Sequence, residues 1–296
     1  MSYVLDLPSQ FDGTAISTFA ADAAKLAANG SWPPEVAINF ATLRFIRPAG
    51  IVFLSNLVGW LNEQGTKVIF QNIDITGDAV RFLDDSLFFE QHCGAKRRLT
   101  AAPRATTRPL MKIAHSHSHD WLRNDLIPWL SDRLGINQGS LYSFQTCLSE
   151  LFNNIQDHTR YDIGTIFAQH FPKEKRVYVT LSDFGIGIPT NVRKVVPQLS
   201  DSQAIVKATE DGFTTKTTPR NRGIGLDYLL KQVVGNNGGT VTFYSGLSAV
   251  RFEQRFGNVG HQELWTNGFC PGTTVDIVLK TDNIKFEPDE PENLEW

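Results

Sequence analysis

The chain has 296 residues, 41% hydrophobic and 20% charged, which is enough to build folded cores and long for one domain, so wholesale disorder is excluded and two compact units are expected. Its 28 basic and 31 acidic residues leave a formal charge of −3, no global field that would draw it to nucleic acid or anionic lipid, so neither is expected as a main partner. Cys93, Cys147 and Cys270 are odd in number and far apart, which reads as reduced thiols, and with neither a leader pattern nor a membrane-length apolar run the chain is expected to be cytoplasmic.

From the start, short apolar runs alternate with helical patterns: strands at 3–7, 36–40 and 67–70, helices at 15–28, 49–61 and 78–89. Alternation of this kind predicts a small α/β layer structure over 1–94, with Gly65 and Gly94 as helix stop signals. Residues 95–112 mix basic and small residues with Pro103 and Pro109 and read as a linker. Over 113–282 the pattern predicts helices at 120–134, 139–158 and 226–234, strands at 163–169, 175–182, 240–245, 249–255 and 273–279, and a polar lid between. This is a helical layer on a mostly antiparallel sheet. The acidic, proline-containing residues 283–296 read as a mobile tail.

Wound on a helix, residues 144–158 separate into two arcs. Phe144, Leu148, Leu151, Phe152 and Ile155 form an apolar face, while Glu150, Asn153, Asn154, Asp157 and His158 form a polar one. Asparagine, aspartate and histidine are poor helix formers, so their clustering sacrifices propensity and points to a site. Glu150 and Asn154 stand one turn apart, where one can orient a water and the other a cation.

Downstream, an apolar strand runs into Asp183-Phe184-Gly185-Ile186-Gly187. Asp183 can accept from a ligand donor, and Gly185 and Gly187 permit close backbone approach. Asn221-Arg222-Gly223-Ile224-Gly225-Leu226 then opens a helix, a seat for phosphate at unpaired N–H groups, with Thr214, Thr215, Lys216 and Arg220 upstream in a segment that can fold over a polyphosphate. Gly272-Thr273-Thr274 precedes the closing apolar strand.

In this order the four elements resemble the GHKL superfamily of gyrase, heat-shock chaperone, histidine kinase and mismatch-repair ATPases, over about 115–280. The resemblance implies a Bergerat-fold α/β sandwich with ATP and Mg²⁺ as cofactors. It makes Asn154 the magnesium ligand and Glu150 the general base, and puts Asp157 and His158 beside them at the nucleotide. It implies that Asp183 reads the adenine amino group between Gly185 and Gly187, with Thr274 supporting through water. Gly223, Ile224, Gly225 and Leu226 would line the phosphate seat, with Thr215 and Lys216 in the lid. Asn221 stands where the family's first loop glycine would be, a residue that tolerates left-handed backbone.

Residues 36–50 and the helix at 79–90 resemble a STAS domain, covering about 1–94. Phosphorylatable members open the second helix with serine, but here Pro48 stands there, so the fold is expected to survive without the phospho-switch.

The whole is therefore expected to be a two-domain α/β protein, STAS-like then Bergerat-fold. The leading function is a nucleotide-dependent switch or ATPase acting on a protein partner. A protein serine kinase of the anti-sigma-factor type and an ATP-binding module without chemistry are the alternatives, and a homodimer stays open. A histidine kinase is disfavoured because Pro103 and Pro109 interrupt the space for a phosphoacceptor hairpin. His115, His117 and His119 would align as metal ligands on an extended segment, but the preferred reading has Ser118 or Asp120 capping a helix entered at Trp121.

Overall fold

The computed structural model describes residues 3–27, 31–74, 76–158, 163–183, 185–213 and 225–284. In the first third, β1 (Tyr3–Asp6), β2 (Gln10–Phe11), α1 (Gly13–Ala24), β3 (Glu35–Asn39), β4 (Phe45–Ile46), α2 (Pro48–Glu63), β5 (Lys67–Gln71), α3 (Asp78–Asp85) and α4 (Phe88–Cys93) follow in order. Strands β1, β3 and β5 form a parallel sheet in that order, and β2 pairs with β4. Asp12 caps α1 by accepting from Thr14 N at 2.9 Å, and Pro48, with no N–H to strand, occupies the first turn of α2. The helix expected at 78–89 is two helices, broken where Leu87 takes a left-handed φ of 65°.

Next come β6 (Thr107–Ala114), α5 (His115–Trp121), α6 (Ile127–Leu134), α7 (Tyr142–His158), β7 (Ile163–Phe171), β8 (Arg176–Ser182), α8 (Ile188–Val192), α9 (Asp201–Ala208), α10 (Gly225–Leu230), β9 (Thr240–Arg255) and β10 (Asn258–Lys280). A five-stranded antiparallel sheet has the order β6-β7-β8-β10-β9. The chain is thus α/β.

Three expectations change. Part of the segment read as linker, Thr107–Ala114, is the edge strand β6. The strands expected at 240–245 and 249–255 are one strand, β9, through Gly246 at φ +63°. The helix expected from 120 begins at His115, and Ser118 donates from inside it to the His115 carbonyl at 2.7 Å instead of capping it.

The large sheet is covered on both faces. On one lies a core of Leu148, Phe152, Leu229 and Val233 from the helical layer against Leu181, Phe243, Val275 and Ile277. On the other, Phe167, Tyr244 and Cys270 join one apolar cluster with Phe11, Phe19, Phe53 and Leu54 of the first third. Helix α2 lies across β7, β8 and β10 there, and α1 lies along β10. Among the described residues no helix is long and apolar enough to cross a membrane.

Candidate functional site

Helix α7 divides as its pattern requires. Phe144, Leu148, Leu151, Phe152 and Ile155 are buried, and Glu150, Asn153 and Asn154 are half-buried on the opposite side. The side chains of Asp157 and His158, on the last turn, lie outside the described residues.

The start of α10 meets this polar face. A β-carbon at Gly225 would stand 3.3 Å from Glu150 Cβ and 3.7 Å from both Asn154 Nδ2 and Glu150 Oε2. Because glycine has no such atom, the backbone at the start of α10 comes close to the two side chains. Leu226, one residue on, packs against the core beneath. Thr215, Lys216, Gly223 and Ile224 lie outside the described residues.

At the end of β8 the half-buried Asp183 accepts from Gly185 N at 2.6 Å and Thr273 N at 3.2 Å, and its own N–H donates to Thr273 O at 2.9 Å. Gly272, at φ +62°, lies so near that a β-carbon would fall 2.2 Å from Asp183 O and 2.7 Å from Asp183 Oδ1. Gly187, at φ +82°, is closed in likewise, with a β-carbon position 2.7 Å from Ser245 Oγ. Ser245 ties the turns together: its hydroxyl donates to Gly272 O at 2.8 Å and accepts from Ile188 N at 3.0 Å. Burial pushes the Asp183 carboxyl up to about 6, although the two N–H groups pull the other way.

Thr274 is not brought to Asp183. Its position pairs with Ser182 and Tyr244, so it is buried on the face toward α1 and α2. Thr273 has the parity of Val275 and Ile277 and sits beside Asp183, its hydroxyl 3.2 Å from Ser245 Oγ. That parity was available in the sequence; the role of Ser245 was not, since it depends on strand register.

The histidine run is helical, so its side chains turn instead of lining up. His117 and His119 are exposed, and only His115 reaches inward, with Nε2 2.8 Å from Asn153 Oδ1. Among the described residues no group of three or more His, Cys, Asp or Glu is arranged to hold a metal.

Arranged in this way, the helical-layer face offers a carboxylate and a carboxamide beside a glycine-opened helix, and an acceptor framed by glycines at the sheet's end. These groups can take a proton, hold a hard cation and accept from a ligand amine. No family model matches the chain, and no curated protein matches it.

Proposed function

We propose that the chain is a Mg-ATP-binding protein of the GHKL type, a nucleotide-dependent switch that hydrolyses ATP and acts on a protein partner. The observation that carries this reading is the meeting of Gly225 with Glu150 and Asn154, the approach a phosphate seat over a base and a cation ligand requires. Support comes from Asp183, on the same face of the sheet, with its acceptor oxygens half-buried between Gly272 and Thr273.

In this reading Asn154 would hold the magnesium ion through its carboxamide oxygen, its Nδ2 lying toward Gly225. When bound, the ion offsets the charge of the phosphate oxygens. Glu150 takes the proton of the attacking water at Oε2, the oxygen facing α10, and Asp183 accepts from the adenine amino group. The first third, read as a degenerate STAS-like domain whose α2 opens with Pro48, carries the partner-facing or regulatory role without a phospho-switch.

Calorimetry with ATP and Mg²⁺ tests binding: wild type gives heat, and Asp183→Asn weakens affinity at least about tenfold, the weight of a buried charged hydrogen bond. Incubation with γ-labelled ATP, Mg²⁺ and a lysate of the source cell tests chemistry. Free phosphate that disappears in Glu150→Ala supports the switch, labelled serine points to the kinase, and binding without either points to a module. Absence of heat from any adenine nucleotide overturns the reading.

A further inference from the structure

His115 stands where β6 gives way to α5, its carbonyl held by the buried Ser118 hydroxyl at 2.7 Å. Its ring reaches α7, where Nε2 lies 2.8 Å from Asn153 Oδ1, and the Asn153 amide nitrogen donates to Glu150 Oε1 at 3.3 Å. A carboxylate only accepts, so the amide NH₂ group faces Glu150 and the amide oxygen faces His115, and Nε2 must carry the proton. The three groups form a chain with one polarity, imidazole N–H to carboxamide oxygen, then carboxamide N–H to carboxylate. It ends on Oε1 and leaves Oε2 toward Gly225.

We propose that His115, acting through Asn153, is the positioning residue for Glu150 in ATP turnover, an inference that rests on the reading of Glu150 as the base. Glutamate has three side-chain torsions and no intrinsic reason to hold one oxygen toward a ligand. Fixing Oε1 through Asn153, itself held from outside the helix by His115, selects the rotamer in which Oε2 is presented. In the step it serves, the water oxygen bonds the γ-phosphorus, the bond from phosphorus to the bridging oxygen breaks with its electron pair leaving on ADP, and the water's proton passes to Oε2. His115 exchanges no proton, and a neighbouring donor amide can stand in for it.

The test uses the full chain with His115→Ala, His115→Gln, Asn153→Ala and Glu150→Gln, each titrated with Mg-ATP by calorimetry and assayed for release of γ-labelled phosphate. His115→Ala and Asn153→Ala are expected to lower kcat about ten- to a hundredfold, with Kd and KM for ATP within about twofold of wild type. The double variant should be no worse than the worse single one, and His115→Gln should recover most of the loss. Nitrogen-15 spectra of the wild-type imidazole should show the proton on Nε2, a readout that survives if His115→Ala fails to fold.

If Glu150→Gln abolishes turnover while His115→Ala leaves kcat unchanged, the positioning role is overturned and the ATPase reading stands. A proton found on Nδ1 overturns it equally. ATP binding without turnover in wild type removes this proposal but not nucleotide binding, whereas absence of binding removes the proposed function itself.

Discussion

Asp183 and Asp276 lie on opposite faces of the large sheet, and burial pushes both carboxyls up to about 6. Asp276 faces α1 and α2, where the Thr180 hydroxyl donates to it at 2.6 Å without offsetting the desolvation. Its folded value exceeds the ordinary 3.8, so the folded state holds a proton that the unfolded chain releases between those two values. The associated stability is complete below 3.8, falls as pH rises toward about 6, and is absent above it. Asp276→Asn is therefore expected to be more stable than wild type at pH 7.5, by at most about 3 kcal/mol, and to lose the advantage near pH 4, measured by urea midpoints at both. Asp183 is shifted in the same direction, but the consequence for binding is opposite: under the proposed role of its ionised oxygen as acceptor for adenine, ATP affinity should fall as pH drops through about 6. Asp183→Asn should be weak and lack that pH step, and a wild-type profile parallel to the variant's would exclude the carboxylate as the reader.

Helix α2 shows what an element's own pattern encodes. From Pro48 through Val58 every residue is buried, because the helix is held between the first-third sheet and the back of the large one. A helix apolar on all sides has no solvent face, so residues 48–58 already announced two covering layers, although by propensity alone they read as an ordinary helix of a small domain. Leu54→Ala, at a fully buried position, is expected to cost about 2–5 kcal/mol in denaturant unfolding. Helix α7 was legible for the converse reason, since its two arcs differ in chemistry and the structure buries only one. Strand β6 was not legible: Pro109 and a register shift between Arg108 and Met111 break its alternation, which an edge strand tolerates. The break at Leu87 carries no composition signal, because leucine rarely adopts positive φ and tertiary packing must impose it. Asp183 and the glycines around it were visible as residue types. Their closure by Ser245 and Thr273, and the link from His115 to Asn153, come from pairings across 28 or more positions that no local pattern fixes.

The two halves of the chain meet through a shared apolar core, and the ion pair at its margin is secondary. Arg47, just before the first residue of α2, forms a bidentate pair with Glu174 at 2.8 and 3.1 Å and lies over the rings of Phe171 and Tyr178, but Glu174 is partly exposed and such a pair contributes little alone. Parting the halves would bring Phe53 and Leu54 on one side and Phe167 and Tyr244 on the other into water. At about 1.5–3 kcal/mol for each large side chain, those four alone amount to roughly 6–12 kcal/mol, comparable with the whole stability of a typical domain. Independent unfolding of residues 1–94 is thus disfavoured even though their sheet is built without any strand of the large one. Hydrogen-exchange mass spectrometry across a urea series should show peptides from β3 and β8 losing protection at one midpoint. Two well-separated midpoints would show that residues 1–94 behave as an autonomous domain and that the shared core contributes little. With one midpoint and the proposed nucleotide binding, saturating Mg-ATP should raise β3 protection together with β8, because a ligand held on the helical-layer face would stabilise every segment that unfolds with it.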